Sequence, residues 1–174
     1  MTDRRTSATT ALVVTSGTVV LLSYLVLSFD VHRYEVWCLG GELIGKDGVR
    51  LQTRSNNCGP AALMMILDHY DIPSTTDEIE RHVRLTARGS TMLSLQEMAE
   101  LKGLTATGWR LSVEELASRP LPALLFVHRD HFVVADSVCG GQVFLRDPAI
   151  GRIRMPERKL MHIWNGETLL FGRQ

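Results

Sequence analysis

The sequence predicts an α+β fold, with helices first and an antiparallel meander of strands after them, preceded by one transmembrane helix. Three observations lead there. Residues 6–29 carry no charge and consist almost wholly of apolar and hydroxyl side chains. From Cys58 to Gly103 the chain carries helix caps and helical spacing of apolar residues. Beyond Pro120 it turns to short apolar runs broken by Gly, Asp and Pro, the mark of strands and turns. The chain has 174 residues, 19 basic and 19 acidic side chains, 45% hydrophobic residues and three cysteines. The zero net charge gives a polyanion nothing to bind, so no nucleic-acid partner is expected. The hydrophobic content excludes a disordered chain, and three cysteines cannot build a disulfide framework.

Residues 1–10 form a short tail bearing Arg4 and Arg5. Residues 11–29 form the transmembrane helix. The uncharged run is about 36 Å long if helical, against roughly 30 Å of hydrocarbon. Ser, Thr and Gly are tolerated in such a helix because hydroxyls bond back to its backbone. A cleaved signal peptide fits less well. No Ala-x-Ala site follows, and Val36 and Trp37 before Cys38 are bulky for lipoprotein cleavage. Arg4, Arg5 and the terminal amine favour an N-terminus inside and a domain outside the cytoplasm. Residues 30–50, rich in glycine, read as a stalk or an edge strand, and residues 51–174 as the domain. Leu39-Gly40-Gly41 reads as a flexible stalk rather than a self-cleavage site.

Within the domain, Pro60 suits a first helical turn, so a helix starts beside Cys58 and runs to about Tyr70. Thr75 with Glu78 caps a second helix through Val83, and Ser94 with Glu97 a third that Gly103 ends. Ser112 with Glu115 marks one more helical turn. Strands are expected over Leu121–His128, His131–Val138, Gln142–Asp147, Arg152–Met155 and Thr168–Phe171. Cys139-Gly140-Gly141 joins the second and third as a turn. A short helix or turn is expected over Pro156–Trp164.

Four residues are candidates for chemistry. A thiol at a helix N-terminus or beside an imidazolium is readily a thiolate nucleophile, which singles out Cys58. On local sequence alone the reading of Cys58 as a small buried hydrophobe stands slightly ahead. His131 opens an apolar strand, with His128 competing, and Asp147 closes the next, where Asp before Pro is commonly a turn former. The two share a face only if 131 lies opposite 147 or 149, because a slip of one residue reverses faces. In that register Asp147 orients the imidazole, and His131 must then reach Cys58 Sγ. Gln52 is an amide able, with the nucleophile's backbone N–H, to hold a developing oxyanion. It is also an ordinary surface side chain. His128, His131 and Cys139 lack zinc-site spacing, so neither metal nor other cofactor is expected.

Gln52, then Asn57-Cys58-Gly59-Pro60-Ala61-Ala62-Leu63, then His131-Phe132-Val133-Val134, then Asp147-Pro148 with Gly151, resembles the C39 peptidase family. These are bacteriocin-processing, double-glycine cysteine peptidases. The likeness runs from about Leu51 to Phe171 and includes Trp164-Asn165-Gly166. It implies a papain-like fold, Cys58 as nucleophile, His131 as general base, Asp147 as its orienter and Gln52 as oxyanion donor. It implies a peptide or protein substrate, cleavage after Gly-Gly in leader peptides, and a bacterial inner-membrane setting. Two other roles use the same domain: a non-proteolytic accessory or scaffold among partner subunits of a membrane complex, and acyl transfer to an amine. The sequence holds no Walker-type phosphate loop.

Overall fold

The computed structural model describes residues 36–173, all within a compact unit spanning Glu35–Gln174. The tail 1–10 and the expected transmembrane helix 11–29 lie outside the described residues. Among the described residues no helix is long and apolar enough to cross a membrane.

A seven-stranded antiparallel sheet organises the unit, with strand order β1-β6-β5-β4-β3-β7-β2. The strands are β1 (Glu42–Gly45), β2 (Leu104–Arg110), β3 (Ala123–Val127), β4 (His131–Cys139), β5 (Gln142–Asp147), β6 (Gly151–Pro156) and β7 (Trp164–Arg173). The helices are α1 (Cys58–His69), α2 (Thr76–His82), α3 (Met92–Leu101), α4 (Val113–Ala117) and α5 (Glu157–Leu160). β4 separates two cores. Its Phe132 and Val134 join α1, α2 and α3 on one side, while Val133 and Ala135 join α4 and α5 on the other. A strand covered on both faces reads as a continuous apolar run rather than an alternating one.

Residues Cys58 through Leu67 of α1 are all buried. A helix apolar all round has to be enclosed, and each enclosed Leu, Ile or Met contributes about 1.5–3 kcal/mol. That burial, more than any cap, holds the start of α1 in place: Asn57 precedes the helix but makes no side-chain cap bond.

Several expectations are corrected. The third helix is capped by Thr91, not Ser94. Thr91 is extended (φ −93, ψ 156), and it exchanges bonds with Ser94, which is therefore the third helical residue rather than the cap. Thr75 accepts from the Glu78 N–H at 3.2 Å. The Glu78 carboxylate lies 2.6 Å from Lys102 Nζ. β2, a strand not expected from LTATGWR, buries only Leu104 and Ala106 and exists by pairing along β7. Of the stalk and the edge strand expected over residues 30–50, the described residues 36–45 form a turn and then the edge strand. Gly40 N–H donates to Trp37 O (2.9 Å) and Gly41 N–H to Val36 O (2.8 Å), closing a turn. Residues 42–45 then pair with β6 as the edge strand.

Candidate active site

His131 begins β4 directly after a tight turn from β3, and Val127 pairs with it across the hairpin. His128 and Arg129 in that turn adopt left-handed backbone (φ 54 and 67). The His128 N–H donates to Ile163 O at 2.7 Å, which ties the turn to the residue before β7. His131 is 4% exposed and so is Asp147. Their side chains meet, with His131 Nε2 2.8 Å from Asp147 Oδ1. The same carboxylate oxygen accepts from the Ala149 N–H at 2.7 Å, so the group is braced from behind.

The register explains the meeting. Next to the hairpin turn Ser137 pairs with Phe144, but after an irregularity Ala135 pairs with Leu145 and Val134 with Arg146. Asp136 is the extra residue. Continued from Val134↔Arg146, position 131 falls opposite 149, the alignment in which His131 and Asp147 share a face. The bulge is held by Arg146, whose Nε donates to both Asp136 carboxylate oxygens (2.9 and 3.0 Å).

Cys58 stands at the first position of α1, 5% exposed. Its sulfur is a hydrogen-bond and charge partner of His131. Since Nε2 is engaged by Asp147, Nδ1 is the ring nitrogen left for the sulfur. Burial disfavours charge on the imidazole, but Asp147 and Cys58 outweigh it and push the His131 pKa up to about 10. Close packing fixes the approach of α1 to β4. A Cβ on Gly59 would lie 2.1 Å from Ser90 Oγ and 3.2 Å from the Leu95 and Phe132 side chains. Only glycine fits there.

Gln52 is joined to the same region from another side. Its backbone N–H donates to Pro148 O at 2.8 Å, in the turn that follows Asp147. Its buried Oε1 has no partner among the described residues. Of the four expected residues, then, Cys58, His131 and Asp147 form one contiguous chain of contacts, and Gln52 is anchored beside Asp147 through its backbone. Sequence reasoning missed Asp136 with Arg146, and Glu80, which contacts Asn57 next to Cys58. A bulge leaves no mark on apolar periodicity. Glu80 carries no signal either, being a polar residue of an amphipathic helix far along the chain.

A buried thiol, imidazole and carboxylate in series on a helix start and two adjacent strands is the arrangement of papain-like cysteine peptidases. The chain belongs to the Peptidase C39 family, whose profile matches residues 46–174. An uncharacterized protein of Methanothermobacter thermautotrophicus is 30% identical over 130 residues, covering 75% of this chain and 92% of that one. The probable microcin-H47 secretion/processing ATP-binding protein MchF of Escherichia coli is 30% identical over 118 residues, which is 68% of this chain but 17% of the relative. The crystal structure of a double glycine motif protease from an AMS/PCAT transporter, in complex with the leader peptide, matches with a TM-score of 0.70 at 27% identity. That match covers 72% of this chain and 91% of the other.

Proposed function

We propose that this chain is a membrane-anchored cysteine endopeptidase that cleaves leader peptides after Gly-Gly, with Cys58 as nucleophile, His131 as acid and base, Asp147 as orienter and Gln52 as oxyanion donor. The observation that carries this reading is the His131 imidazole, bonded to Asp147 at 2.8 Å on one side and to the Cys58 sulfur on the other. A thiolate beside an imidazolium is the reactive form of such a pair. Its sulfur attacks the peptide carbonyl and a C–S bond forms. The carbonyl oxygen gains negative charge, which the Cys58 backbone N–H and the Gln52 amide N–H stabilise. His131 then passes its proton to the departing amine as the C–N bond breaks. Water attacks the resulting thioester, the neutral imidazole takes its proton, and the thiolate leaves.

The Gly-Gly preference has a physical basis as well as family support. With the sulfur-bearing residue and the imidazole 5% and 4% exposed, there is little room for a side chain flanking the scissile carbonyl. The membrane anchor is residues 11–29, with the domain outside the cytoplasm. The test uses the full-length chain in detergent and a leader-type peptide whose Gly-Gly carbonyl is joined to a fluorogenic amine. The expected result is hydrolysis abolished by Cys58→Ala, and no hydrolysis of the peptide with Gly-Gly changed to Val-Val. Turnover that survives Cys58→Ala rejects the nucleophile. Rapid, Cys58-dependent labelling by a thiol probe with no cleavage of any peptide favours acyl transfer. Neither labelling nor cleavage favours the scaffold role. Retention in the membrane pellet after alkaline carbonate washing tests the anchor, and release rejects it.

A further inference from the structure

The stretch from Gln52 to Cys58 carries both ends of the proposed oxyanion site, yet its backbone is only sparsely bonded. Gln52 N–H donates to Pro148 O at 2.8 Å, and Asn57 N–H reaches Arg54 O at 3.5 Å. Most of the remaining order comes through one side chain. Asn57 is 1% exposed. Its Oδ1 accepts from the Arg54 N–H at 3.1 Å, and its Nδ2 donates to Thr53 Oγ1 at 3.1 Å and to Glu80 Oε1 at 2.9 Å. The other carboxylate oxygen, Glu80 Oε2, takes the Arg54 guanidinium. One carboxylate on α2 therefore grips two residues of the loop, one with each oxygen. A cavity of about 540 Å³ with Arg54, Asn56 and Glu80 in its wall opens beside this grip, so the loop has space to shift once released. The Arg54 guanidinium holds the Glu80 carboxyl below its usual range, with burial opposing and Asn57 assisting, so the group is an ionised double acceptor.

We propose that Glu80 is a positioning residue for peptide-bond cleavage: acting from α2 through Asn57 and Arg54, it sets the loop that presents Gln52 and the Cys58 backbone N–H to the scissile carbonyl. The inference rests on the catalytic reading above. The partners of Glu80 are Asn57 and Arg54, on the oxyanion side of the site, so its effect is expected on that half of the reaction. The two halves of the site then separate experimentally. Alkylation of Cys58 by iodoacetamide reports the sulfur–imidazole pair and needs no oxyanion donor, whereas peptide turnover needs both.

Full-length wild type, Glu80→Ala and Glu80→Gln are compared for kcat, KM, the pH profile of Cys58 alkylation and thermal midpoint. Glu80→Ala is expected to lower kcat about tenfold or more, with KM and the alkylation profile unchanged. Glu80→Gln keeps one acceptor for Asn57 Nδ2 but presents an NH2 group to Arg54, so its kcat falls between the two. Should Glu80→Ala not fold, Glu80→Gln decides alone. An unchanged kcat in Glu80→Gln overturns the proposal. So does a kcat loss matched by an equal loss of alkylation rate, because that is general loosening of the fold. Failure of the catalytic reading looks different: wild type itself neither cleaves peptide nor alkylates faster than a free thiol, and the positioning role falls with it.

Discussion

His131 and Asp147 share a face of the sheet because β4 holds one more residue than β5 between the pairs Val134↔Arg146 and Ser137↔Phe144. That residue is Asp136, set between Ala135↔Leu145 and Ser137↔Phe144. Extending the Ser137↔Phe144 pairing without the bulge would put position 131 opposite 150 and turn the two side chains to opposite faces. Bulges commonly re-aim a side chain next to a reactive site, and this one does so through a single inserted residue.

Inserting one alanine between Ala135 and Asp136, which moves position 131 from opposite 149 to opposite 150, is therefore expected to abolish peptide cleavage while leaving a folded domain. The readouts are kcat/KM, circular dichroism and the His131 titration midpoint by NMR. The midpoint should fall once Asp147 no longer faces the ring. An insertion variant with wild-type turnover would contradict the register argument.

Asp147→Asn removes the negative charge but keeps an acceptor near 2.8 Å from the ring. The imidazolium loses its stabilising partner, and the ring loses its preferred tautomer. The expected outcome is a fall in kcat of about a hundredfold or more with little change in KM, together with a lower His131 midpoint.

The His131 pKa is raised in the folded state to about 10. Its unfolded value is about 6.5. A group raised on folding contributes its full stabilisation below the unfolded value and loses it as pH rises through the folded one. Relative to His131→Gln, the wild-type thermal midpoint should therefore decline from about pH 6.5 to about pH 10. Cys58→Ala removes one of the two raising partners and should shift the upper end of that window downward. A wild-type difference that grows with pH would reverse the sign and refute the ion pair.

Gly59→Ala forces a Cβ to 2.1 Å from Ser90 Oγ. The overpacking should cost about 1–3 kcal/mol, read by urea denaturation. Ser90→Ala deletes the clashing hydroxyl, so the double variant should recover much of that loss. Strictly additive effects would mean that the two positions are not in contact.

Much of this protein was legible before any coordinates. The burial of α1 follows from its apolar run, the end of α3 from Gly103, and β4 from the residues after His131. Cap chemistry was legible in kind but not in register: Thr91 and Ser94 are both capping types three residues apart, and only the extended backbone at Thr91 distinguishes them. β2 was missed although Thr105, Thr107 and Trp109 are strand formers, because Ala106 and Gly108 between them leave no apolar run and its order comes from β7. By itself the sequence determined which side chains were available for chemistry and which helix and strands carry them, because periodicity and caps are local properties. The tertiary structure alone decided that Cys58, His131 and Asp147 meet, and that Glu80 grips the loop beside them. Those outcomes depend on a one-residue bulge and on a helix docking from elsewhere in the chain, and sheet register and long-range packing leave no local trace.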